Sequence, residues 1–181
     1  MTAATTTRPP RTTTAGPRPR TLAEDLAAGA VAGQVAGLIM LLVVSALFAL
    51  THQGLLFPQV LGRLVFGPTA TEGLHLPALF LGTALHLLGP CLVWGLAFGA
   101  LAWLSGARFG GQLSALAIVV GVTAQLVDVY VVLPWLLDIS GQPDFWTGLV
   151  PGVWSWMYHL LFGLGLLYGY PWAATRFGPR P

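Results

Sequence analysis

Four stretches of this chain, about 24–51, 77–104, 111–137 and 148–171, are nearly free of charge and long enough to cross a bilayer as helices. A spanning helix needs roughly 20 apolar residues, because each backbone N–H and C=O inside hydrocarbon must find its partner within the segment. What remains is a tail at each end, one longer loop and two short connections. Of the 181 residues, 55% are hydrophobic and 8% are charged, against about 25% charged in soluble domains. That is too little charge to clothe a water-facing globule. The sequence therefore predicts an all-α membrane protein: four antiparallel transmembrane helices in an up-down bundle, one domain over residues 21–174.

Residues 1–20, rich in Thr, Pro and Arg, carry no apolar periodicity and read as a disordered tail. Residues 175–181 form a second tail. The first apolar run is too long for a signal peptide and lacks a cleavage site, so it is expected to remain as a span. Thr21 and Glu24 have the spacing of a capping box at its start. Pro77 and Pro151 suit the first turns of the second and fourth spans, and Pro171 is read as closing the fourth. Between the first two spans, Leu55, Leu56, Val60, Leu61, Leu64, Val65 and Phe66 form an apolar set broken by Pro58 and Gly62. The set is too short to cross, so an interfacial or re-entrant helix is expected in this first outer loop. Gly29, Gly33 and Gly37 recur every four residues, as do Gly95 and Gly99. Such a stripe lets another backbone approach closely, within the chain or in a homo-oligomer or larger membrane complex.

Every basic residue is an arginine. With the N-terminus inside, Arg8, Arg11, Arg18, Arg20, Arg108, Arg176 and Arg180 lie on the inner side and Arg63 alone lies outside. This bias predicts a multi-pass protein of the plasma (bacterial inner) membrane with both termini cytoplasmic. Glu72, Asp138 and Asp144 fall on the outer side, Trp135 and Trp146 at the outer interface, Trp103 and Trp172 at the inner. Arginines gathered in a tail suit topology and lipid headgroups, not nucleic acid, which needs a basic patch on a folded surface. The lone cysteine, Cys91, excludes CxxC redox chemistry. No Walker loop, GxSxG or HExxH motif is present.

Three ionisable residues, His86, Asp128 and His159, interrupt the second, third and fourth spans. At 1.5 Å per residue they lie about 14, 15 and 16 Å below the outer ends of their spans, near the middle of a core roughly 30 Å thick. Each shares its helical face with small or polar residues: His86 with Gly82, Thr83 and Pro90; Asp128 with Gly121 and Gln125; His159 with Gly152 and Ser155. Such faces turn inward, and Pro90 removes the donor that would bond the His86 carbonyl. The expectation is one buried polar layer of His86, Asp128, His159, Gln125, Tyr158 and Ser155, serving as a proton, solute or ligand site.

Several chemistries compete for that layer. It can simply fix helix register through an Asp–His contact. It has the inventory of a proton relay, since histidine titrates near neutral pH. His86 and His159 lie on diagonal helices of an up-down bundle, and this placement resembles the membrane b-type cytochromes. That resemblance implies a haem with the two imidazoles as axial ligands and Trp94, Trp154, Trp156 and Tyr158 nearby. Two histidines and a carboxylate also suit iron, zinc or copper, without the spacing of a metal motif. Serines such as Ser45, Ser114 and Ser155 lack a nucleophile's flanking signature, and a hydrolase pairing Ser155 with a neighbouring histidine has no further support. The reading adopted is a non-enzymatic membrane subunit or small transport or proton-pathway protein; a haem-binding electron-transfer subunit is the alternative.

Overall fold

The computed structural model describes residues 18–51, 54–107, 110–143, 145–146 and 152–177. The first tail up to residue 17, His52, Arg108, Asp144, the opening of the fourth apolar stretch including Pro151, and Arg180 lie outside them. Among the described residues the chain is all helical, without strands. Five helices carry the architecture: α1 (Leu22–Thr51), α2 (Phe57–Phe66), α3 (Leu76–Ser105), α4 (Gly111–Ile139) and α5 (Gly152–Phe177). A short 3-10 turn, Pro68–Thr71, links α2 towards α3.

The helix starts follow from local chemistry. Thr21 and Glu24 close the expected capping box: the Thr21 N–H donates to Glu24 Oε2 at 2.7 Å and the Glu24 N–H to Thr21 Oγ1 at 3.3 Å. At α3, His75 is the cap, its Nδ1 accepting from the Ala78 N–H at 3.1 Å, with Pro77 in the first turn. The apolar set of the first loop does form a helix, α2. One expectation fails at the far end of α5, which runs through Pro171 to Phe177. Proline deletes one donor but leaves the helix standing where neighbours hold it. Here Ala173 and Ala174 are buried, and Arg176 Nη1 donates to the Trp172 carbonyl at 3.0 Å while its guanidinium stacks on that indole.

Three helices, α1, α3 and α4, are long and apolar enough to cross a membrane. Their outward faces are apolar as well: Leu42, Phe80 and Ile118 are 63%, 70% and 60% exposed. A soluble monomer seldom shows so broad an apolar surface. The 26 residues of α5 are also long enough, but three tryptophans, three tyrosines and four glycines dilute its hydropathy.

The packing is built on small residues. A Cβ added to Gly29 would strike the backbone of Gly95 and Gly99, and one on Gly33 would strike Cys91 and Gly95. The two glycine stripes therefore face each other within the chain, and α1 and α3 touch backbone to backbone in antiparallel fashion. Gly37 lies against the Cys91 side chain. On its other side α1 meets α5, with Gly165 against Ala36 and Gly169 against Ala32. Gly121 and Gly163 bring α4 onto α5. By contrast, α3 and α4 meet mainly through Leu92–Ser105 and Gly111–Ala124, the halves nearest their connection. Their other halves splay apart.

Polar ties hold both ends. Asp25 is wholly buried; it accepts from the Tyr170 hydroxyl at 2.7 Å and pairs with Arg20 Nε at 3.1 Å. At the opposite end α2 packs on α3, where Gly82 meets Pro58 and Gly62 meets Ala78. Gln59 Nε2 donates to the Ala70 carbonyl at 3.0 Å and the Gly73 carbonyl at 2.5 Å. Trp146, expected at the membrane interface, is buried and stacks edge-on against Phe57, 6.1 Å between centroids.

The glycine contact between α1 and α3 makes a clear demand. In Gly33→Val, the new Cβ lies 2.8 Å from Gly95 Cα, and overpacking costs about 1–3 kcal/mol. Thermal unfolding in detergent should show a lowered Tm for Gly33→Val, while Gly73→Ala, where an added Cβ meets nothing within 4 Å, should leave it unchanged.

Candidate functional site

Two prolines shape the backbone around the ionisable residues. Pro90 has no N–H to offer the His86 carbonyl, and the helix widens into a π turn over Leu87–Cys91, with Gly89 at φ −86, ψ −108. The Leu92 N–H reaches back to the Leu87 carbonyl, which also accepts from Gln34 Nε2 of α1 at 2.7 Å. In α4 a second π segment covers Gln125–Val132 and ends just before Pro134. There the Leu133 N–H bonds the Asp128 carbonyl. Widened turns of this kind recur at functional sites because they re-aim side chains that a regular helix would hold in register. His86 stands at the edge of one and Asp128 inside the other.

The side chains of the expected layer come together. Asp128 Oδ2 accepts from Trp94 Nε1 at 2.8 Å and lies 4.0 Å from His159 Nε2. The other imidazole nitrogen, His159 Nδ1, is 2.9 Å from the Ser155 carbonyl. A carbonyl can only accept, so Nδ1 carries a proton and Nε2 faces the carboxylate. A proton taken up by the couple would go to His159 Nε2 or to Asp128. Ser155 Oγ donates to Gln125 Oε1 at 2.9 Å, and both side chains are buried. Ser155 is thus bonded through its hydroxyl to Gln125 and not to His159. His86 is buried, its ring edge-on to Phe57 at 5.8 Å, and its Nε2 has no hydrogen-bond partner among the described residues.

His86, Asp128, His159, Ser155 and Tyr158 all line one cavity of about 880 Å³, where the splayed halves of α3 and α4 part. Small-molecule sites occupy about 300–1,000 Å³. The remaining wall is overwhelmingly apolar and aromatic, including Phe57, Trp146 and Phe162. Exposed Val93, Val132 and Ile139 also line it, so the cavity opens sideways between α3 and α4, through the apolar surface of the molecule. Over one end lies α2, held by Arg63. That guanidinium bonds Gln142 Oε1 through Nε, donates to Thr71 Oγ1 at 2.9 Å, and covers the Phe145 ring at 3.9 Å. Gln142 Nε2 returns a bond to the Arg63 carbonyl at 3.1 Å.

Among the described residues no three His, Cys, Asp or Glu side chains converge as a metal-ligand set. His86, Asp128 and His159 share a cavity without sharing a coordination centre. Three contributors were not read from the sequence in their roles. Trp94 was an aromatic wall candidate, yet it is the donor to Asp128; its spacing with His86 and Pro90 on one helical face was the available signal. Gln34 and Asp25 gave none beyond being polar in an apolar helix. The chain matches no protein family, no curated protein and no solved structure.

The bond between Trp94 and Asp128 can be measured directly. A double-mutant cycle of Trp94→Phe and Asp128→Ala, read by thermal or denaturant unfolding in detergent, should give a coupling of about 1–2 kcal/mol. A coupling of zero would mean that the indole does not hold the carboxylate.

Proposed function

We propose that this chain is a small, non-enzymatic membrane protein of the transport type, which takes a lipophilic ligand into the α3–α4 cavity and meets it with the Asp128–His159 couple. The observation that carries the reading is a carboxylate and an imidazole, 4.0 Å apart, in the wall of a side-opening apolar cavity. Ionisable groups inside apolar helices are costly, and they are placed where a ligand or proton meets them. A proton taken up by the couple gives the site a pH-dependent state.

In this reading α5 is the fourth crossing and the four long helices form an up-down bundle in a bacterial inner membrane. Support comes from antiparallel contacts of α1 with α3 and α5, and from the Asp25–Tyr170 bond. That bond sets the start of α1 beside the end of α5, as two cytoplasmic termini require. Arg63 is then outside, with α2 as a lid on the outer half. Below the cavity, buried Phe98, Leu113, Leu166 and Tyr170 fill the bundle. This suits a binding protein or carrier in one state, not an open pore.

The haem alternative is less well supported. An axial bond would use His159 Nε2, which faces the Asp128 carboxylate, and no arginine lines the cavity to receive propionates. Arg63 is engaged by Gln142, Thr71 and Phe145.

The test is binding of the apolar fluorophore 1-aminoanthracene to purified protein in nanodiscs. Wild-type protein should bind it saturably, and Val129→Trp, which fills the cavity, should lose at least tenfold in affinity while eluting as wild type in gel filtration. Equal binding by both proteins would refute the cavity reading, and a Soret band in protein from haem-replete cells would replace it with the electron-transfer one. Topology is checked separately: a maleimide added to intact cells should label Glu72→Cys and not Thr175→Cys.

A further inference from the structure

The charge pattern of the cavity narrows what it can hold. Its polar wall offers one carboxylate, Asp128, two imidazoles, Trp94, Tyr158, Ser140 and a serine–glutamine pair, and among the described residues no arginine; the chain has no lysine. A fatty acid or other lipophilic anion would therefore meet a carboxylate with no fixed positive charge to offset it. A cation meets the reverse. It finds Asp128 in the same lining as the aromatic rings of Phe57, Trp146, Tyr158 and Phe162, a residue type that favours positive charge. A neutral lipophile would leave the couple as it stands, held by Trp94 and His159, and would draw no binding energy from the carboxylate.

We propose that the cavity between α3 and α4 is a site for a lipophilic cation, an apolar body bearing one positive charge, and that the cation binds by displacing a proton held by Asp128 or His159. The inference rests on the cavity reading above and adds the ligand class and the exchange. The balance is simple: with the cation absent, one proton sits on the couple; when the cation enters, that proton leaves to solvent and the carboxylate faces the cation. No covalent bond changes.

Several titratable groups face Asp128 or line the cavity with it. They are His159 and Tyr158 from α5 and His86 and Cys91 from α3; the cavity residues of α1 and α2 carry none. His86 and His159 become cationic as pH falls, so they act in the same direction as protonation of Asp128. Cation binding should strengthen as pH rises through the titration of the couple and weaken as it falls.

The experiment compares two ions of matched shape and opposite charge, tetraphenylphosphonium and tetraphenylborate, as displacers of 1-aminoanthracene from nanodisc-embedded protein. Tetraphenylphosphonium should displace at least tenfold better than tetraphenylborate and should release about one proton per site into weak buffer. Asp128→Asn should lose both the preference and the proton, and Asp128→Glu should restore them. If Asp128→Asn fails to fold, the ion comparison and proton count on wild-type protein still decide the matter. Equal displacement by the two ions, or binding of the phosphonium without proton release, would overturn the cation proposal. If 1-aminoanthracene still binds wild-type protein and not Val129→Trp, the cavity reading survives that failure. Loss of fluorophore binding in both would remove the two together.

Discussion

Close contact between the backbones of α1 and α3 is the constraint on which the rest of this structure depends. Gly29 and Gly33 meet the backbone of Gly95, Gly99 and Cys91 with no side chain between them, and Gly37 lies against the Cys91 side chain. Small-residue interfaces of this kind replace the hydrophobic drive that is weak between helices in lipid. Because α1 is held so tightly on one side and by α5 on the other, it becomes the spine of the molecule. Helix α4 is left to pack on α5 and to meet α3 mainly towards their shared connection. A cavity follows from that asymmetry.

The same contact explains why the cavity is polar at one point and apolar elsewhere. Where α3 leaves the tight stripe, Pro90 opens the helix, and the freed turn is steadied from α1 by Gln34. Across the gap, Pro134 follows a second widened turn that carries Asp128. Each irregularity would be costly in lipid, where unsatisfied backbone has no water to turn to. They are tolerated here because they face each other across a protein-lined space. A carboxylate held by an indole and an imidazole then sits in otherwise apolar walls.

Much of this was legible beforehand. The apolar runs over 24–51, 77–104 and 111–137 became α1, α3 and α4 to within about two residues, since hydrophobic length and capping chemistry are local properties. The short apolar set after the first run became α2. Inward-facing small residues marked the polar layer, and five of its six members line the cavity while the sixth, Gln125, bonds Ser155. Pro171 does not end its helix: a proline does so only where no tertiary neighbour holds the turn beyond it, and here Ala173 and Ala174 are buried.

By itself the sequence determined that the chain is helical and that its helices suit a membrane, and it picked out His86, Asp128 and His159, which line one cavity. Those properties depend on composition, period and rise per residue, all readable along one strand of text. Only the tertiary structure decided that Asp128 takes its hydrogen bond from Trp94, that Ser155 goes to Gln125 and not to His159, and that α3 and α4 part to leave a side-opening cavity. Partners in a helical membrane protein are chosen by crossing and splay, which arise where glycine stripes and prolines on different helices meet. No single helix carries that information.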